Sequence, residues 1–204
     1  MRLKSGYNPL IIVGSWNKAI FSPEWITKYL FPSTQVQIEY PINNSNASIR
    51  FRANNIALNI IDQRLLFYTE AHTDEVFDLI GETAISLCRF LPHTPVTSFG
   101  INHIFESSKE EVLEQHLFDI SDNRMIEDHG YTIQSIKTIR TIQLEDCILN
   151  LSYTQEGETV VYDFNYHYNI SSIEEFIQKF SSCNISQKKN HAIEVLSMYD
   201  LHLE

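Results

Sequence analysis

Three polar residues stand close enough together to do chemistry. Asp163, Asn165 and His167 alternate along the segment Thr159–Tyr168. A spacing of two places side chains on the same face of a strand. A carboxylate, an amide and an imidazole in one row can orient a general base or bind a ligand. The same row also fits a solvated outer face, because Val160, Tyr162, Phe164, Tyr166 and Tyr168 supply an aromatic core face on the other side. That aromatic row reads as core, or as an open face for a partner, since tyrosine is favoured at interfaces. Arg50 and Arg52 form a second pair on one strand face, a candidate basic patch for phosphates or an acidic partner. Lys137 with Arg140, and Lys188 with Lys189, are further basic spots, and scattered solvated charge is the expected reading of all of them.

Other chemistries find no motif. The eight histidines form no HxH, HxxxH or HExxH pattern, so no metal site is expected. There is no GxSxG elbow, no GxxxxGK[ST] and no GxGxxG, and no cysteine sits beside a histidine. No cofactor is expected. Cys88, Cys147 and Cys183 are an odd number of widely separated cysteines without CxxC spacing. They read as small buried thiols in a reducing compartment rather than as a disulfide framework.

The 204-residue chain is 43% hydrophobic and 20% charged, the composition of a globular protein with a substantial core. Its net charge of −11 disfavours a polyanion as the main partner, because phosphate binding needs a basic surface. No 18-residue apolar stretch occurs, and the run Leu10–Val13 is too short for the apolar core of a signal peptide. A cytoplasmic location is expected.

Positioning the polar row requires strands, and the sequence offers many. Leu10–Trp16 reads as a short apolar strand. Ser22-Pro23-Glu24 is a helix start, with a serine cap, proline at the first position and an acid in the first turn. The period then becomes two over Gln35–Ile42, again at Ile49–Ala53 and at Ile56–Ile60, followed by Leu65–Ala71. Asn54-Asn55 and Asp62-Gln63 are candidate turns. Thr73 caps a longer helix whose stripe is Phe77, Ile80, Ala84, Leu87, Cys88 and Leu91.

A second series follows. Val96–Glu106 reads as a strand with Phe99, Ile101, His103 and Phe105 on one face. Ser108-x-x-Glu111 is a capping box for a short helix to about Leu117. Asp119–Gly130 is polar and turn-rich. Tyr131–Gln143 reads as a strand, although isoleucine at 133, 136, 139 and 142 fits neither the strand nor the helix period. Cys147–Thr154 and Thr159–Tyr168 form a hairpin about Gln155–Glu158. Helices follow from Ser171 or Ser172, with its stripe of Ile173, Phe176, Ile177 and Phe180, and over about Ile185–Tyr199.

The order of elements repeats. Residues 10–91 and 96–181 both read strand, short helix, three or four strands, longer helix. The expected fold is therefore α+β, an antiparallel sheet with four or five helices mainly on one face and a possible internal duplication of a β-α-β(3-4)-α unit. Its halves are 1–92 and 93–204, the second including a C-terminal helix, joined in one pseudo-symmetric domain. This order is similar to the repeat of the TATA-binding-protein fold, which joins two such units into one curved sheet with helices on its convex side. The resemblance is topological and contains no family motif. Its DNA-binding members need a basic concave face and paired phenylalanine wedges, and this chain is acidic and shows no such pair. The resemblance therefore implies neither a function nor any site residues.

The expected function is a non-catalytic protein-binding component of a complex, with a protein partner or a homo-oligomer. The alternatives are a small-molecule sensor with a cavity between sheet and helices, a hydrolase-type enzyme using Asp163 and His167, and a nucleic-acid binder using the Arg50/Arg52 strand.

Overall fold

The computed structural model describes residues 1–32, 34–40, 49–108 and 123–203. Ten strands make one antiparallel sheet. They are β1 (Arg2–Leu3), β2 (Tyr7–Gly14), β3 (Gln37–Glu39), β4 (Arg50–Ala53), β5 (Ile56–Ile61), β6 (Arg64–Thr69), β7 (Val96–Ser108), β8 (Ser135–Gln143), β9 (Ile148–Glu156) and β10 (Thr159–Asn169). The helices are α1 (Pro23–Tyr29), α2 (Asp74–Phe90), α3 (Asn123–Asp128), α4 (Ile173–Ser182) and α5 (Ile185–Ser197). This is the α+β architecture expected from the alternation of period-two segments with amphipathic ones.

The sheet order is β3-β4-β5-β6-β2-β7-β10-β9-β8, with β1 added against the end of β7. Outward from the central β2–β7 pair, the strands run β6, β5, β4, β3 on one side and β10, β9, β8 on the other. This order is compatible with the expected duplication and does not establish it. The capping box at Ser108 and its helix to Leu117 lie outside the described residues, as does the end of the Gln35–Ile42 segment. In the polar stretch Asp119–Gly130, read above as turns, the chain forms α3. Met125 and Ile126 at its centre are exposed, so no apolar stripe marked the helix.

Local chemistry explains the boundaries. Asn54 and Asn55 both have positive φ, 49° and 64°, and join β4 to β5 in two residues. That is the backbone a type I′ turn requires, and asparagine tolerates it better than most residues. Side chains of Ser22, Thr73, Ser172 and Asn184 accept hydrogen bonds from backbone N–H groups in the first turns of α1, α2, α4 and α5.

One hydrophobic core spans both halves. On β10, Val160, Tyr162, Phe164, Tyr166 and Tyr168 are all buried against the helix layer. Phe99 stacks on Tyr168 at 4.4 Å and meets Phe176 of α4 edge-on at 5.1 Å. His103 lies on the same core face. Its Nε2 is 3.0 Å from the Ile185 carbonyl and its Nδ1 is 3.0 Å from the Tyr7 hydroxyl. A carbonyl only accepts, so Nε2 carries the proton and the tyrosine donates to Nδ1. Burial holds this imidazole neutral and lowers its pKa to about 3.

Candidate functional site

The opposite face of the sheet presents polar side chains, Asp163, Asn165 and His167 among them, in partial contact with solvent. Strand register brings Asn165 of β10 opposite Asn102 of β7 and Asn150 of β9, and Asn150 opposite Thr141 of β8. These four residues form a continuous row of hydrogen bonds. Thr141 Oγ1 donates to Asn150 Oδ1 at 3.3 Å, and Asn150 Nδ2 donates to Asn165 Oδ1 at 3.0 Å. Asn165 Nδ2 donates to Asn102 Oδ1 at 2.7 Å, and Asn102 Nδ2 donates to the Asn8 carbonyl of β2 at 2.9 Å. The backbone carbonyl at one end can only accept. It therefore fixes the amide of Asn102, which in turn orients Asn165 and Asn150.

Gly100 makes room for this row. A Cβ at that position would stand 2.9 Å from Asn165 Nδ2 and 3.7 Å from Asn102 Oδ1. Each amide spends one N–H and one carbonyl lone pair within the row. The second of each remains for a molecule lying across the face.

Asp163 is next to the row on β10, opposite Ile104 and Ser152. It makes no hydrogen bond or ion pair among the described residues. Burial raises its carboxyl pKa, and the charges of Lys137 and Lys4 pull it back. With Asn102, Asn165, Ile11, Ile104 and Tyr7 it lines a shallow depression of about 480 Å³. An unpaired carboxylate beside amide donors and acceptors suits a guanidinium or ammonium group.

The three residues singled out on β10 do share one face. His167 lies four residues beyond Asp163, about 13 Å along an extended strand, and hydrogen-bonds Asn169 Oδ1 at 3.1 Å. The two are too far apart to act on one bond as an acid–base pair. Asn165 between them belongs to the amide row. Asn102, Asn150 and Thr141 were not singled out, because only strand register connects them.

Arg50 and Arg52 also lie on the open face, at the far side of the sheet. Arg52 Nε is 2.6 Å from Glu39 Oε1, Arg50 lies 3.5 Å from the same carboxylate, and Glu70 is 3.9 Å from Arg52. Both guanidinium groups stand over the Tyr68 ring, at 4.9 and 5.9 Å. Their charge is thus largely matched within the fold.

A further polar group sits under the helix layer. Tyr168 Oη is 2.7 Å from Cys183 Sγ and donates to Asp146 Oδ2 at 3.1 Å, and Lys188 Nζ reaches the same Asp146 oxygen at 3.1 Å. All three cysteines are free and buried. Burial pushes Cys88 up to about 12 and Cys147 up to about 11, so these thiols stay protonated near neutrality. No cluster of His, Cys, Asp and Glu suited to a metal ion occurs among the described residues. No described helix is long and apolar enough to cross a membrane.

Comparison with protein-family models, with curated proteins and with solved structures finds no match. The likeness to the TATA-binding-protein fold thus rests on the order of elements alone.

Proposed function

We propose that the chain is a non-catalytic protein-binding component of a complex, and that its open sheet face is the binding surface. The observation that carries this reading is the oriented amide row beside the unpaired Asp163. The row offers peptide-like donors and acceptors across four strands, and Asp163 offers a carboxylate to a lysine or arginine of the partner. A net charge of −11 favours a basic partner and speeds its approach. A small cationic ligand is the second reading. It is favoured by the depression, whose volume of about 480 Å³ suits a small molecule.

The test compares wild-type protein with an Asp163→Ala/Asn165→Ala variant as bait in lysate of the source organism, with quantification by mass spectrometry. A specific partner should be retained by the wild type and depleted at least tenfold on the variant. A variant at exposed Glu158 should retain it fully. Equal retention by all three baits would overturn the reading. If no protein is retained, calorimetric titration with arginine-containing peptides and with small amines separates the two readings by ligand size.

A further inference from the structure

The depression beside the amide row holds a carboxylate whose counterion no described residue supplies. Asp163 is only partly exposed on β10. The charges of Lys137 and Lys4 favour its ionised form, but neither closes on it as an ion pair among the described residues. Asp74 and Asp146 are more exposed, yet each holds a lysine, Lys189 and Lys188 respectively. A charge withdrawn from water costs stability unless a partner compensates it. Asp163 thus keeps the acceptor capacity of both oxygens at the place where a partner would be worth most.

The surroundings of the carboxylate are shaped by a break in β2. Its register against β6 shifts between Tyr7 and Leu10, and Gly6 just before has a φ of 73°. Irregularities of this kind re-aim groups beside binding sites. Here the Asn8 carbonyl meets Asn102 Nδ2 at 2.9 Å and anchors the row. Ile11 of β2 and Ile104 of β7 line the same depression. It therefore sets acceptors among aliphatic side chains. Those acceptors are the two Asp163 oxygens and the Oδ1 atoms of Asn102 and Asn165, each amide oxygen keeping one lone pair after its row bond.

We propose that this depression is a guanidinium subsite, which takes one arginine side chain of the protein partner in preference to a lysine. The inference rests on the reading of this face as a protein-binding surface. Register decides between the two cations. Asp163 stands opposite Ile104, so Asn102, two residues before Ile104, is its diagonal neighbour. Diagonal neighbours are about 7 Å apart, and so is Asn165, two residues along β10. An ammonium carries its three donors on one atom, so it cannot span that separation from the carboxylate to the amides. A guanidinium carries five donors in a rigid planar fork. Two of them take the carboxylate in parallel, and the rest face outward from it toward the amide oxygens.

The lining favours the same cation. A guanidinium is planar and weakly hydrated, so it loses little by lying against Ile11 and Ile104. An ammonium is strongly hydrated and gives up more water in the same place. Lys4 and Lys137 add positive charge nearby, which limits the depression to a single guest cation. The net charge of −11 attracts arginine and lysine alike, so any preference between them comes from the local acceptors and not from the overall field.

The test is a two-dimensional NMR titration of the isotope-labelled full chain with N-acetyl-arginine amide, N-acetyl-lysine amide and N-acetyl-citrulline amide. The last has the shape of arginine without its charge. Titration runs to about 20 mM, the range in which a single side chain is expected to bind. The arginine probe should shift the side-chain amide signals of Asn102 and Asn165, with a dissociation constant at least fivefold below that of the lysine probe. The citrulline probe should shift neither. Asp163→Asn keeps the shape and should weaken arginine binding at least tenfold, while Glu158→Gln should leave it unchanged. If Asp163→Asn fails to fold, the three probes on wild type still decide. Equal affinity for arginine and lysine, no shift at Asn102 and Asn165, or arginine binding unchanged in Asp163→Asn would each overturn the inference. The two readings fail separately. A partner retained by the wild-type bait together with equal probe affinities sinks the subsite alone. Arginine-selective shifts with no retained protein keep the guanidinium subsite and sink the protein-binding reading.

Discussion

Strand β10 separates two environments across the thickness of one backbone. Its core face, Val160 to Tyr168, is at most 2% exposed and packs aromatic rings against α5 and the neighbouring strands. Its open face holds Asp163, Asn165 and His167 in partial contact with water. The first face stabilises through area removed from water and close packing. The second is organised by directional hydrogen bonds that water can replace. Perturbing one face should therefore change stability, and perturbing the other should mostly change what the surface can hold.

The largest expected effect is on the core face. Phe164 is fully buried and meets Phe105 edge-on at 5.9 Å. Phe164→Ala removes a ring that the rigid sheet cannot collapse around, and should cost about 3–5 kcal/mol in urea unfolding. A loss under about 1 kcal/mol would mean that the two faces are not distinguished by packing.

Next comes the buried imidazole. His103 has a folded-state pKa of about 3, below the ordinary value of 6.5. As pH falls through about 6.5, the unfolded chain takes up a proton that the native state refuses until about pH 3. Stability is therefore full above 6.5 and is lost on acidification by about 1.4 kcal/mol per pH unit across that window. His103→Gln lacks this term. The stability gap between wild type and His103→Gln should narrow by that slope between pH 6.5 and 4, measured by denaturant unfolding at fixed ionic strength. Parallel curves would show that the unprotonated imidazole is not what Tyr7 and Ile185 hold.

The core face was legible in the sequence because its signal is local. Alternation alone placed Tyr162, Phe164 and Tyr166 together, set His103 beside Phe105, and identified the α2 stripe from Phe77 to Leu91. The open face was legible only in part. Asp163, Asn165 and His167 share a strand, so spacing grouped them. The row that gives Asn165 its environment joins it to residues 63 positions before it and 15 before it, at Asn102 and Asn150. That grouping depends on the register of three strands, and a period-two pattern carries no register between strands. The pairing of Arg50 and Arg52 with Glu39 was hidden for the same reason. α3 was missed because its exposed Met125 and Ile126 supply no stripe.

The smallest effect separates the row from the core most sharply. Asn165→Ala removes two row hydrogen bonds, but on an open face water takes their place. The net loss should be about 1 kcal/mol, well below that of Phe164→Ala. The informative quantity is coupling. Asn102 and Asn165 share a 2.7 Å bond, and each is oriented by its neighbour. A double-mutant cycle between Asn102→Ala and Asn165→Ala should give a coupling energy of about 0.5–1 kcal/mol. The same cycle between Asn165→Ala and Arg52→Ala, whose side chains share no partner, should be additive within about 0.5 kcal/mol. If the asparagine pair is additive as well, the amides do not act as one oriented row. The binding surface would then shrink from a row across four strands to the Asp163 carboxylate beside it.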